Sequence, residues 1–219
     1  MFDTGALTIV LAGTVIATLA RCGWSDIKIA LTALKRIATK DFDLNENRMA
    51  LAPAISEIKR RGPLCTDIPL PPDPSMARTV IAFARSGSIE HFRAAHHAER
   101  ASREGLAARA VRTFEYAGEL APVFGLVGTL FAITQLSPFA GEGPVEIAMG
   151  SIATAVLSSL YGVLIAHLIF IPLARAIERK AMREEDARAQ LVEWLETSLA
   201  GRARPASAPR EHSKSRQAA

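Results

Sequence analysis

Cysteine is nearly absent from the 219 residues: Cys22 and Cys65 are the only two, too few for a disulfide framework or a zinc ribbon and too far apart for a CxxC redox pair. The GxxxxGK[ST], HExxH, GxSxG and GxGxxG patterns are missing as well, so no motif points to an enzyme. Gly125 and Gly128 lie inside an apolar run with no strand before it, which rules out a phosphate loop. No segment reads as a strand, and no internal repeat of roughly 20–50 residues is evident. The most informative absence is of positive charge. None of the 26 Lys and Arg residues falls within 1–20 or 118–174.

What is present follows from that gap. Hydrophobic residues make up 49% of the chain and charged ones 22%, with a mean hydropathy of +0.18, so the apolar residues are concentrated in particular segments. That apolar content excludes disorder throughout. The isoelectric point near 9.4 raises the question of nucleic acid. However, residues 21–117 and 175–219 carry net charges of +5 and +3 and bracket apolar stretches. A nucleic-acid reader would instead set its basic residues on a folded face among stacking aromatics. The arrangement is the positive-inside pattern of a membrane protein, and no nucleic-acid partner is expected.

Three stretches without Lys or Arg carry the apolar mass. Thr4–Ala20 has 17 residues, Leu120–Gly141 has 22 and Ile147–Ala174 has 28, with His167 the one ionisable residue among them. A hydrocarbon core needs roughly 20 helical residues, with about 17 as the lower limit. The first stretch competes with a signal peptide, but no basic segment precedes it and Asp3 is the only early charge. The expected fold is therefore an all-α integral membrane protein with three transmembrane helices and a helical cytoplasmic region. Its parts are helix 1 (1–23), a cytoplasmic helical region (24–117), helix 2 (118–141), a periplasmic turn (142–146), helix 3 (147–174), a cytoplasmic helix (175–200) and a disordered basic tail (201–219). With both basic segments cytoplasmic, the N-terminus lies outside an inner membrane and the C-terminus inside.

The cytoplasmic region reads as helices at Trp24–Ile37, Asn47–Arg61, Met76–Ser86 and Ser88–Glu115, broken by Gly62-Pro63 and the proline cluster at 69–74. Within the spans, Gly150, Thr154, Ser158, Gly162 and Ala166 recur every four residues, with Ser151, Ala155 and Ser159 on the adjacent face. Helix 2 offers Ala121, Gly125, Gly128, Thr129 and Ala132 at matching spacing. Small residues so placed let helix backbones approach closely in lipid. For Thr129, Thr154, Ser158 and Ser159 a second reading competes, a hydroxyl-lined wall that hydrates a pathway. Glu119 and Pro122 are expected in the first turn of helix 2, where an acid and a proline are both tolerated. Pro172 removes a backbone hydrogen bond near the end of helix 3 and permits a bend. No charged residue sits deep in a span. His91, His96 and His97 lack metal-ligand spacing, and His167 reads as a polar residue near the inner interface.

At these residues the chain resembles a known family. Gly118-Glu119-Leu120-Ala121-Pro122-Val123-Phe124-Gly125-Leu126-Val127-Gly128-Thr129 is similar to the membrane signature of the MotA/TolQ/ExbB proton-channel family. Ala148-Met149-Gly150, Ser158-Ser159-Leu160-Tyr161-Gly162 and Ile169-Phe170-Ile171-Pro172-Leu173-Ala174 resemble that family's last helix, and Asp3–Lys35 resembles the second membrane helix of its flagellar stator A subunits. The resemblance implies a homo-oligomeric, pentameric ring in the lipid bilayer, around a B-type partner that supplies the ion-binding aspartate. It implies no cofactor, only transported H+ or Na+. Carried over residue by residue, Thr129 and Ser159 match pore-facing hydroxyl positions, while Pro122, Pro172 and Glu119 match positions tied to coupling. Lys59, Arg60, Arg61 and Asp67 match contacts to a flagellar rotor. The first membrane helix of stator subunits has no counterpart here, which leaves an upstream start or a three-span topology like that of ExbB and TolQ. The expectation is an A-type subunit of an ion-driven motor, most closely a flagellar stator. An energiser of outer-membrane transport or envelope integrity and a non-conducting membrane scaffold are the alternatives.

Overall fold

The computed structural model describes residues 4–61, 70–134 and 145–199. They form six α-helices: α1 (Thr4–Ile37), α2 (Leu44–Arg61), α3 (Pro74–Ser86), α4 (Ile89–Thr134), α5 (Val145–Ile165) and α6 (Ile171–Leu199). A single wide π turn, Ala166–Phe170, joins α5 to α6, and no strand occurs among the described residues. Of the expected periplasmic turn at 142–146, residues 142–144 lie outside the described residues, as do Cys65, Asp67 and the tail at 201–219, whereas Val145 and Glu146 already belong to α5. The chain divides into two compact units, one formed by Met1–Lys40 with Glu104–Met182, the other by Asp41–Arg103 with the residues from Arg183 onward.

The first unit holds the apolar helices. Three segments, within Thr4–Ile37, Ile89–Thr134 and Met149–Leu199, are long and apolar enough to cross a membrane. The chain is an all-α membrane protein. Ala6, Val10, Ala121, Tyr161, Ile165 and Ala166 form one core cluster, and Ala30, Ala110, Phe114, Ala174 and Ile177 form a second. Outside these clusters the helices present large apolar side chains, among them Ile16 at 66% exposure, Leu126 at 56% and Val156 at 65%. Such a surface matches lipid or neighbouring protein rather than water. Helix α1 is interrupted at Gly23, whose φ of 79° is a left-handed conformation that only glycine adopts without strain.

One expectation needs correction. Glu119 and Pro122 do not open a helix: α4 runs unbroken for 46 residues from Ile89 to Thr134, and Pro122 lies well inside it. The change from charged to apolar composition near residue 117 leaves the backbone hydrogen-bond ladder intact. An interior proline removes only one bond from that ladder.

The second unit packs α2, α3 and the described segments 89–103 and 183–199 around Leu51, Ile58, Met76, Phe83, Phe92, Leu191 and Leu195. Asp73 caps α3, its carboxylate accepting from the Ser75 and Met76 N–H groups at 2.9 Å each, which starts the helix at Pro74. Gly87 ends it with φ 66° and an N–H bond to the Phe83 carbonyl at 2.7 Å. Asp73 also binds Arg188 at 3.0 Å, and Arg188 reaches Glu184 at 3.4 Å and Glu185 at 3.1 Å. Arg103 closes the network with a fork onto Glu185 at 2.6 and 2.8 Å and a contact to Ser75. Arg188 and Glu184 are buried, so their charges are tolerated only because each is paired.

Candidate functional site

The site grows from glycine. On α4, Ala121, Gly125, Gly128 and Ala132 are all buried, and on α5 so are Ala155, Ser158, Gly162 and, in the turn beyond, Ala166. A Cβ on Gly162 would lie 2.6 Å from the Ala121 carbonyl oxygen and 3.1 Å from the Pro122 Cα. One on Gly125 would lie 2.9 Å from the Ser158 carbonyl oxygen, and one on Gly128 would overlap the Ser158 hydroxyl. The two backbones therefore run in contact, as small-residue spacing permits in lipid.

This proximity brings the expected hydroxyls together. Thr129 Oγ1 lies 2.8 Å from Ser159 Oγ, 3.0 Å from the Gly125 carbonyl and 3.1 Å from the Ala155 carbonyl on the facing helix. Ser158 is fully buried and donates across the seam to the Gly125 carbonyl at 3.0 Å. Its hydroxyl serves packing, since it satisfies a backbone acceptor and fills the space beside Gly128. Thr129 and Ser159 remain partly exposed at the margin of the seam, as does Thr154 one turn toward the start of α5. Gly150 shares the four-residue stripe but meets nothing within 4 Å.

Pro122 sits in α4, and Pro172 opens α6 just past the π turn that ends α5. Pro122 has no N–H for the Gly118 carbonyl, its partner one turn back. A Cβ on Gly118 would meet Ile171 Cγ1 at 3.2 Å and Phe170 Cβ at 3.6 Å, so the α4 weak point lies directly against the π turn. At the other side, Pro172 follows that turn, and Ile171 N–H reaches back five residues to the Ala166 carbonyl. The wide turn keeps the proline ring away from the Leu168 carbonyl, with which a regular helix would clash. The bend expected at Pro172 thus takes the form of a π turn preceding it.

Sequence reasoning missed Arg21. Its guanidinium stands 3.7 Å from the Tyr116 ring centroid and 3.3 Å from Glu119 Oε2, linking α1 to α4 one turn before Pro122. The only signal in the sequence was that Arg21 is the first basic residue after an apolar span. His167 is exposed and its Nδ1 sits 3.1 Å from the Val163 carbonyl of its own helix. Of the expected cytoplasmic contacts, Lys59, Arg60 and Arg61 form the last turn of α2, and Arg60 pairs with Glu57 at 2.9 Å. Asp67 lies outside the described residues.

Comparison with known proteins gives a consistent family. The model of the MotA/TolQ/ExbB proton channel family matches residues 71–190. An uncharacterized protein of Bacillus subtilis, YtxD, is 29% identical over 127 residues, which is 56% of this chain and 44% of that protein. Motility protein A of Borreliella burgdorferi is 32% identical over 83 residues, 37% of this chain and 31% of that one. Motility protein A of Aquifex aeolicus is 24% identical over 196 residues, 87% and 76% of the two chains. The chain thus spans less than half the length of the first two relatives. Two solved structures share the fold. The C. jejuni MotAB structure superposes with a TM-score of 0.76 at 17% identity over 92% of this chain and 78% of that one. The flagellar MotAB stator complex from Bacillus subtilis gives 0.75 at 20% identity over 92% and 80%.

Proposed function

The chain belongs to the MotA/TolQ/ExbB proton channel family, and from that premise we propose that it is the A-type subunit of an ion-driven inner-membrane motor, most closely a flagellar stator. One observation carries this reading: the hydroxyl pair Thr129–Ser159 joins α4 to α5, the proline-weakened points lie in α4 and in the π turn that continues α5 into α6, and there is no Asp, Glu, Lys or Arg between Leu120 and Thr134 or between Met149 and Ala174. Hydroxyls can solvate a proton or sodium ion, but they cannot carry its charge through a low-dielectric span. A partner must bring the carboxylate.

In this reading copies of the chain form a ring, as a pentamer, around a B-type partner whose aspartate faces the wall that includes Thr129, Thr154 and Ser159. Binding of H+ or Na+ neutralises that aspartate and relaxes its hold on the ring. The resulting strain enters α4 and α5 at the seam and bends them where their backbone ladders are weakest, at Pro122 and at the turn before Pro172. Glu119, tethered to Arg21, ties α1 to the same place. The N-terminus faces outward and the basic segments inward. Lys59, Arg60, Arg61 and Asp67 then lie on the rotor side.

The test is co-expression with a B-type protein lacking its plug segment, read as cytoplasmic acidification and slowed growth. Acidification that disappears when the partner's aspartate is replaced by asparagine supports the reading. A stable complex that leaks no protons or sodium would make the chain a scaffold and sink it.

A further inference from the structure

Beyond the break at Gly23, α1 has two unlike faces. Ala30, with Ile29, Ala33, Leu34 and Ile37 beside it, packs against Ala110, Phe114, Ala174 and Ile177. The other face carries Trp24, Lys28, Leu31 and Lys35, at helical spacings i, i+4, i+7 and i+11, and all four are exposed. Trp24 is 62% exposed and Leu31 51%, large values for side chains of this size. The Lys28 ammonium stands 5.8 Å from the Trp24 ring centroid, in reach of a cation–π contact.

Charge is the discriminating observation. Asp26 is the one acid in Trp24–Ile37, and it is held by Arg109 of α4. Neither Lys28 nor Lys35 has an acidic partner among the described residues. The face is therefore cationic and apolar at once, immediately after a segment long enough to span a membrane. Indole rings settle at the headgroup level of a bilayer, and lysines beside them extend their ammonium groups toward phosphate. Trp24 and Lys35 are separated by about 16 Å along a helix. At a Debye length of about 8 Å, Lys28 feels an anionic surface at the Trp24 level strongly and Lys35 more weakly.

We propose that the face formed by Trp24, Lys28, Leu31 and Lys35 is a docking surface for anionic phospholipid headgroups. Trp24 and Leu31 enter the interfacial layer, and the two lysines select phosphate groups with net negative charge over zwitterionic ones. The surface requires only that α1 spans the bilayer and is independent of ion conduction.

The experiment uses the full chain with Trp194→Phe, which leaves Trp24 as the sole tryptophan. It is reconstituted into phosphatidylcholine vesicles containing equal fractions of either phosphatidylcholine or phosphatidylglycerol brominated near the headgroup end of the acyl chain. Quenching of Trp24 by the brominated phosphatidylglycerol should exceed that by the brominated phosphatidylcholine by about twofold or more, and the preference should vanish with Lys28→Gln/Lys35→Gln or at high salt. Because Trp194 borders the core of the second unit, the same signal is also taken as the difference between the native chain and Trp24→Phe. Equal quenching by the two lipids overturns the selectivity. Absence of quenching by either means that protein, such as a second copy of the chain, covers the face, and it overturns the proposal outright.

Discussion

Replacing Gly162 by alanine tests whether the α4–α5 seam depends on backbone contact. The added Cβ would stand 2.6 Å from the Ala121 carbonyl oxygen, 3.0 Å from the Gly125 Cα and 3.1 Å from the Pro122 Cα. All three are backbone atoms, so no rotamer change relieves the contact. A Cβ needs about 3.3 Å from a carbonyl oxygen, so the helices must separate by roughly 0.7 Å. That displacement would stretch the Thr129–Ser159 contact from 2.8 Å and the Ser158–Gly125 bond from 3.0 Å past hydrogen-bond range. Overpacking of this kind costs about 1–3 kcal/mol, and each interhelical hydrogen bond lost in a membrane costs about 0.6–2 kcal/mol. Alanine returns about 1 kcal/mol of helix propensity, which, with two such bonds lost, leaves a net loss of about 1–6 kcal/mol. Gly150→Ala is the control, because nothing lies within 4 Å of its added carbon, and it should be neutral or slightly stabilising. The measurement is denaturant unfolding of the monomeric chain in a mild detergent, followed by helical circular dichroism. Equal midpoints for the two variants would refute the contact argument.

Arg188→Ala should destabilise the second unit by about 3 kcal/mol, since it removes the one cation that Asp73, Glu184 and Glu185 share in a buried place, whereas Arg78→Ala at the exposed Arg78–Glu99 pair should leave the melting midpoint unchanged. The second unit should also lose stability in acid in two stages, followed by Trp194 fluorescence. Burial first, and then the nearby Arg103 charge, hold the His96 imidazole below its ordinary value of 6.5, so the first loss begins as the pH falls below about 6.5 and is absent in His96→Leu. Burial alone would raise the Asp73 and Glu185 carboxyls. The Met76 N–H and Arg188 at Asp73, and Arg103 and Arg188 at Glu185, outweigh it and hold both below the ordinary carboxylate range, so their contribution is complete above about pH 4.5 and is lost below it. Arg21→Glu should abolish coupled activity without lowering membrane levels, and Arg21→Glu/Glu119→Arg should restore part of it; a swap as inactive as the single change would remove the pair from the coupling path. Pro122→Leu and Pro172→Leu should each give a complex of normal size that binds its ion but transmits no movement, and failure of either to assemble would make that proline structural.

The apolar spans were legible because freedom from charge over 17 or more residues has few other causes. The seam was nearly legible. Four-residue spacing of small side chains told which stripe of α4 and of α5 is buried, and only the pairing of Thr129 with Ser159 across 30 positions needed three dimensions. The unbroken length of α4 was hidden, because a shift in composition coincides with a proline, and both are ordinary signs of a helix end. Arg21 and Glu119 are 98 positions apart, and no local pattern relates them. The Asp73–Arg188–Glu185–Arg103 network was equally invisible. Alternating charges on a helix read as a solvated face, and only the packing of Met76, Phe83 and Leu191 beneath them takes those charges out of water.

The two prolines gain their meaning from what surrounds them. An isolated proline inside a long helix merely loosens one turn. Here the carbonyl that Pro122 frees belongs to Gly118, and Gly118 has no side chain to hold Phe170 and Ile171 away. The loosened turn of α4 therefore rests on the π turn, which is itself the adjustment that α5 and α6 make to Pro172. In the proposed function these two soft places in contact are where the strain would be taken up, with the close-packed seam above them as the stiff part. Leucine at 172 would restore an N–H for the Leu168 carbonyl and favour a regular helix through the turn. Regularising it removes the extra residue and rotates everything beyond by about 100°. That rotation would take Ala174 and Ile177 away from Ala30, Ala110 and Phe114, so the core resists it and the wide turn survives the substitution. The variant keeps its shape but gains a competing hydrogen bond that tightens the hinge. For this reason Pro172→Leu should assemble normally and lose only the transmission of movement.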